Sequence, residues 1–172
     1  HGGARHRGRD RDVAGSGGST DVMVVLEECV RQGLDRMCVG PIWDPVAVDR
    51  MIEAGVGSHV DLEIGGRTDA PAIGFRGKPL RLAGTVRRIT DGRFTVTGPM
   101  STGTGLALGR CVVLDTGAAE ILISSERHEP FDTGCFTHAG IDPASKRFIL
   151  IKSRQHFRAA FEPIIEDVVM VS

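Results

Sequence analysis

Apolar residues at positions 22, 25, 26, 29 and 30 recur at the spacing of a single helix face. Ser19-Thr20-Asp21 places capping side chains before them and Gly33 supplies a stop, so the pattern predicts a helix over roughly 20–32. Met37-Cys38-Val39-Gly40-Pro41-Ile42-Trp43 reads as a short buried strand running into a loop. Asp44 and Pro45 then restart a helix, because Asp can cap and Pro at the first helical position loses no needed donor. Val46, Val48, Met51 and Ile52 form its apolar stripe, and Gly55 and Gly57 end it. A strand near His59–Ile64 turns Val60, Leu62 and Ile64 inward.

From Gly65 to Ile123 the period changes from helical to extended. Leu80, Leu82, Gly84, Val86 and Arg88 alternate, Asp91-Gly92 is a turn signal, and Phe94 and Val96 continue beyond it, which predicts a hairpin. A second hairpin is expected from Gly109–Leu114 and Ala119–Ile123 around Asp115-Thr116-Gly117. Farther on, Asp132–Ala139 reads as a short helix ended by Gly140, and Phe148-Ile149-Leu150-Ile151 as a central strand. Ser153 is placed to cap a helix reaching Phe161 and closed by Pro163, and Glu166–Val171 is apolar enough for a last strand. The expected fold is therefore α/β, a mixed sheet with flanking helices and an antiparallel β-hairpin-rich insertion in the middle. Residues 1–18, Gly- and Arg-rich without apolar periodicity, are expected to be a poorly ordered lead-in, and 19–172 a single domain.

Composition narrows the function. With 41% hydrophobic and 25% charged residues the chain is neither wholly disordered nor fibrous. Lys and Arg number 21 against 22 Asp and Glu, and the aromatics are seven Phe, one Trp and no Tyr. Neither a basic footprint nor a set of stacking platforms is present, so no nucleic-acid partner is expected. No apolar run approaches the ~18 residues of a membrane span, and the basic start has no apolar core of a secretory signal. No membrane partner is expected, and the cytoplasm is the default location. Cys29, Cys38, Cys111 and Cys135 form no CxxC pair and read as reduced, mostly buried thiols.

Two stretches could carry chemistry. Gly15-Ser16-Gly17-Gly18-Ser19-Thr20-Asp21 leads into a helix start that could cradle an anion, but it lacks the Lys of a P-loop and equally fits a flexible lead-in with a cap. Lys152-Ser153-Arg154-Gln155-His156-Phe157-Arg158 follows a strand, where open α/β sheets place ligands. Lys152, Ser153, His156 and Arg158 could hold an anionic or carboxylate group there, with His156 able to exchange a proton near neutral pH. The alternative is a solvated helix start in which His156 is hydrogen-bonded and partly buried. Gly40–Pro45 also ends a strand and could share that rim, or form a rigid turn with Trp43 filling the core. The His residues show no HExxH or HxH spacing, and Pro130 breaks the helix that His128-Glu129 would need. No complete metal site, no GxSxG elbow and no catalytic-Cys signature is read within the chain.

Several stretches taken together resemble the C-terminal domain of the MlrC-like family, the microcystin-degrading metallopeptidases and their relatives. They are Val39-Gly40-Pro41-Ile42-Trp43-Asp44-Pro45 with Ala47-Val48, Ala54-Gly55-Val56-Gly57, Leu62 to Gly66, Thr90-Asp91-Gly92-Arg93-Phe94 with Gly98-Pro99-Met100, and Gly140-Ile141-Asp142-Pro143. The most specific is Lys152-Ser153 with His156-Phe157-Arg158-Ala159 and Phe161-Glu162-Pro163. The resemblance implies a two-domain peptide or amide hydrolase whose N-terminal domain carries a divalent metal, usually zinc, on His, Asp and Glu ligands. This chain would be the other domain, with no cofactor of its own, walling the cleft for a peptide-like substrate. Lys152, Ser153, His156, Arg158 and Asp21 are its candidate substrate-binding residues, and His156 its candidate auxiliary catalytic residue. The family's Asp-Asn-Pro-Gly-Gly-Gly entry is degraded to Gly15, Gly17, Gly18 and Asp21, and the usual extension beyond the last strand is missing. A fragment or divergent product is therefore expected, inactive alone, partnered by the metal-bearing domain on the same or a separate chain, and prone to self-association through the exposed docking face. The rivals are a stand-alone small-anion-binding module and a non-functional remnant.

Overall fold

The strand Met37–Trp43 (β1) is the hub of the architecture, because it carries a neighbour on each side and points every residue from Met37 to Ile42 into the interior. The computed structural model describes Thr20, residues 23–69 and residues 76–170. Asp21, the Gly-rich stretch 15–19 and the expected lead-in 1–18 lie outside the described residues. The remaining strands are β2 (His59–Ile64), β3 (Leu80–Thr90), β4 (Arg93–Thr95), β5 (Gly105–Ala107), β6 (Cys111–Asp115), β7 (Ala119–Ser124) and β8 (Phe148–Leu150). Six of them form one mixed sheet in the order β2-β3-β6-β7-β1-β8, and β4 and β5 pair separately. Pairing is antiparallel from β2 through β7, whereas β7, β1 and β8 run parallel.

Helices cover both faces of the sheet, as the alternation of the strands requires. Val112 and Leu114 of β6, Ile121 and Ile123 of β7 and Met37 and Val39 of β1 pack with α1 (Val24–Arg31) and α2 (Pro45–Ala54). The intervening Cys111, Val113, Leu122 and Cys38 face the opposite layer, which holds α3 (Gly134–Thr137), α4 (Arg158–Phe161) and Phe94 of the small hairpin. Phe136 and Phe161 meet edge to face there, with centroids 6.2 Å apart. Near the amino end of β7 the nearly buried Glu120 is clamped by Lys146 and Arg87, so its charge is matched rather than stranded.

Several local expectations are corrected. The first helix begins at Val24 with Met23 as its N-cap and no side-chain cap; Thr20 is buried and its carbonyl instead accepts the Trp43 N–H at 3.3 Å. The Asp91-Gly92 turn does not fold β4 back on β3. β3 pairs with β2 along its first half and with β6 along its second, so β6 holds one edge beside the turn. Gly92, at φ +69°, redirects the chain, and its carbonyl accepts from Leu108 N–H at 3.0 Å, so β4 pairs with β5. The Asp115–Gly117 hairpin is present as expected, with β6 and β7 antiparallel across it. Phe148–Leu150 is an edge strand rather than a central one; its apolar run reflects burial of its two faces in the two layers. The helix expected from Ser153 is reduced to Arg158–Phe161 followed by a 3₁₀ turn that includes Pro163, and residues 166–170 are not a strand. No described helix is long and apolar enough to cross a membrane.

Candidate functional site

Because β7, β1 and β8 are parallel neighbours, their carboxyl ends open on one rim of the sheet. Segments 44–45, 125–131 and 151–158 leave the strands there, which is where parallel sheets present ligand-binding groups. The rim has two carboxylate hubs, and each is built by sequence-distant elements.

Asp44 is the first hub. It follows β1 directly, is fully buried, and caps α2 by accepting the Ala47 N–H on Oδ1 at 3.0 Å. Its Oδ2 accepts the Gly65 N–H at 2.9 Å and pairs with Arg67 Nε at 3.1 Å, tying the end of β2 to the start of α2. Beside it the Arg127 guanidinium lies 3.4 Å from the centroid of the Trp43 ring and donates to Thr68 Oγ1 at 3.2 Å. Gly40 lets β1 approach β7: a Cβ there would stand 2.6 Å from the Leu122 carbonyl oxygen, and φ is +136°. The reading of Gly40–Pro45 as a strand end on the shared rim holds, and Trp43 is half-buried beneath an arginine.

Glu129 is the second hub, a residue to which the sequence pattern assigns no role. Its side chain is 10% exposed; Oε1 accepts from Ser153 Oγ at 2.6 Å, and Oε2 meets His156 Nδ1 at 2.9 Å. Ser153 is buried, whereas the His156 side chain is 52% exposed. The structure thus joins two of the predicted residues through a carboxylate 24 and 27 positions away. A Glu just after a central strand of a parallel array is the signal that could have pointed to it; beside His128 it reads only as a failed zincin motif. Ser153 does not cap a helix, since its hydroxyl is committed to Glu129. Arg158 Nη1 pairs with Glu162 at 2.5 Å, and its guanidinium lies 5.4 Å from the Phe157 ring. Lys152 is half-buried in the irregular segment before Ser153, and Asp21 lies outside the described residues.

The other titratable groups offer no second centre. Burial pushes the Cys38 and Cys111 thiols up to about 12 and Cys135 well above the ordinary thiol range, so none of the three supplies a thiolate nucleophile. Burial lowers the proton affinity of His138, whose Nδ1 lies 2.9 Å from the Gly134 carbonyl and whose ring stacks on Phe94. His128 Nδ1 is held by the Glu129 carbonyl at 2.7 Å. Among the described residues no three His, Cys, Asp or Glu side chains are grouped to hold a metal ion.

Comparison with known proteins identifies relatives of the chain. Residues 10–172 match the MlrC C-terminus family. Microcystinase C of Sphingomonas sp. is 31% identical over 161 residues, covering 94% of this chain and 30% of that protein. The fold is shared with the crystal structure of a candidate metallopeptidase from Mesorhizobium sp. BNC1, at a TM-score of 0.81 and 24% identity, over 91% of this chain and 31% of that one. The chain therefore spans under a third of the length of either relative.

Proposed function

The chain belongs to the MlrC C-terminus family, and from that premise we propose that it is the C-terminal, non-metal-bearing domain of a zinc metallopeptidase, where it walls the cleft for a peptide-like substrate. The observation that carries the reading is the His156–Glu129 pair, a half-exposed imidazole tied to a nearly buried carboxylate on the carboxyl rim of the parallel strands. Once protonated at its outward nitrogen, an imidazole so held, with the cations Lys152 and Arg158 on the same segment, suits an anionic group: a substrate carboxylate, or the oxyanion that develops when an amide is attacked. Ser153 serves this role indirectly, by fixing Glu129.

The residues present do not fit a resident metal. His156 and Glu129 amount to two ligand-type groups, one of them already spent on Ser153, and the described chain groups no third with them. The metal is accordingly assigned to the part of the family enzymes outside the matched region, and that part is the proposed partner. In this reading residues 19–172 form one domain. Four free cysteines, three of them buried, suit a reducing cytoplasm.

The test is replacement by Ala of the residue aligned with His156 in a full-length family enzyme. Turnover should fall roughly 10²-fold, as for a lost oxyanion donor, with bound metal unchanged. Loss of metal would move the imidazole into the coordination shell and overturn the assignment. Stoichiometric zinc on the purified 172-residue chain would overturn it too.

A further inference from the structure

We propose that Glu129 is a positioning residue for His156, fixing its imidazole as the Nδ1–H tautomer with Nε2 turned away from the protein toward the rim. A carboxylate only accepts, so the ring nitrogen 2.9 Å from Oε2 must carry the proton. The two ring nitrogens point to different sides, and with Nδ1 against the carboxylate the bare Nε2 faces outward from a side chain that is 52% exposed. Glu129 cannot swing aside easily. Its other oxygen accepts the Ser153 hydroxyl at 2.6 Å, Ser153 is itself buried, and the adjoining Pro130 is buried and fixes the backbone.

The order of hydrogen bonds is therefore Ser153 to Glu129 from one side and His156 to Glu129 from the other. Held this way, the ring can take up a proton at Nε2 and release it there without rotating, and the carboxylate offsets the positive charge while it lasts. A ring left to itself would favour the opposite tautomer, with Nε2 already the donor and the accepting lone pair on Nδ1, where it would face the Glu129 carboxylate. The use of this geometry on substrate rests on the proposed cleft role; the tautomer does not.

The experiment is a long-range ¹H–¹⁵N correlation spectrum of the labelled 172-residue chain at about pH 9, above the ordinary imidazole range, with His156 assigned by its loss in His156→Gln. The expected result is a deprotonated-nitrogen signal at Nε2 and a protonated one at Nδ1. In Glu129→Gln the amide oxygen can keep Ser153 while the amide N–H donates to Nδ1, so the ratio should invert toward Nε2–H. A dominant Nε2–H tautomer, or an averaged ring, in the unmodified chain overturns the proposal without any variant. So does an unchanged ratio in Glu129→Gln with the amide fingerprint retained. The two readings separate cleanly: the expected tautomer with no loss of turnover on replacing the His156 equivalent would sink the cleft role alone, and the reverse outcome would sink this one.

Discussion

Single side chains on the rim are committed to several partners at once, and that makes their removal costly. Asp44 accepts from Ala47 and Gly65 and pairs with Arg67 while fully buried. Asp44→Ala should cost about 2–4 kcal/mol, because it uncaps a helix and strands a buried N–H; Asp44→Asn, which keeps an acceptor, should cost less. Urea unfolding midpoints measure both. Among the thiols only Cys29 is more than marginally accessible, and burial raises it as well. A native-state thiol titration should therefore show one slow reactive group, rising to four in denaturant. His138 has a proton affinity lowered mainly by burial. The unfolded chain then binds a proton that the folded one resists, so stability should fall as pH drops below about 6.5 and toward the lower folded value. His138→Asn should flatten that slope in pH-dependent thermal melts.

Elements took their positions from pairings that local sequence does not encode. Asp91-Gly92 carries hairpin chemistry, and its Asx bond is made, with Asp91 Oδ1 accepting from Arg93 N–H at 3.1 Å. The course of the chain beyond that turn is set by contacts farther along the sequence: the Gly92 carbonyl accepts from Leu108 N–H and β4 pairs with β5. The loop after β4 is fastened by Asp132, which is 2% exposed and accepts the Gly98 and Gly134 N–H groups at 2.7 Å each. Asp132→Ala should cost about 2–3 kcal/mol and release the Gly98 loop. Hydrogen exchange should show faster exchange at Gly98 than in β6, whose amides would stay protected. The fourth helix is shorter than its sequence predicts for a related reason: Ser153 has capping chemistry, but a buried carboxylate from another segment claims its hydroxyl.

At the scale of the molecule, the parallel β7-β1-β8 array gathers the rim, and an exposed apolar set including Val24 and Val30 on α1 and Val168–Met170 near the end remains outside the core. If those residues meet the rest of a family enzyme, the chain by itself should self-associate reversibly, which concentration-dependent sedimentation would detect; a single monomeric species at high concentration would argue against such a docking face. Periodicity and turn chemistry were enough to determine most of the elements and the α/β class, because burial on a strand or helix face repeats at a local period. The ordered motifs from Val39 to Pro163 carried the family. They also marked Lys152, Ser153, His156 and Arg158 as candidate binding residues. The carboxylate that joins Ser153 to His156 lay beyond that reading. Glu129 reaches Ser153 and His156 only because parallel strands end side by side, and a contact created by strand order leaves no period along the chain for a sequence to reveal.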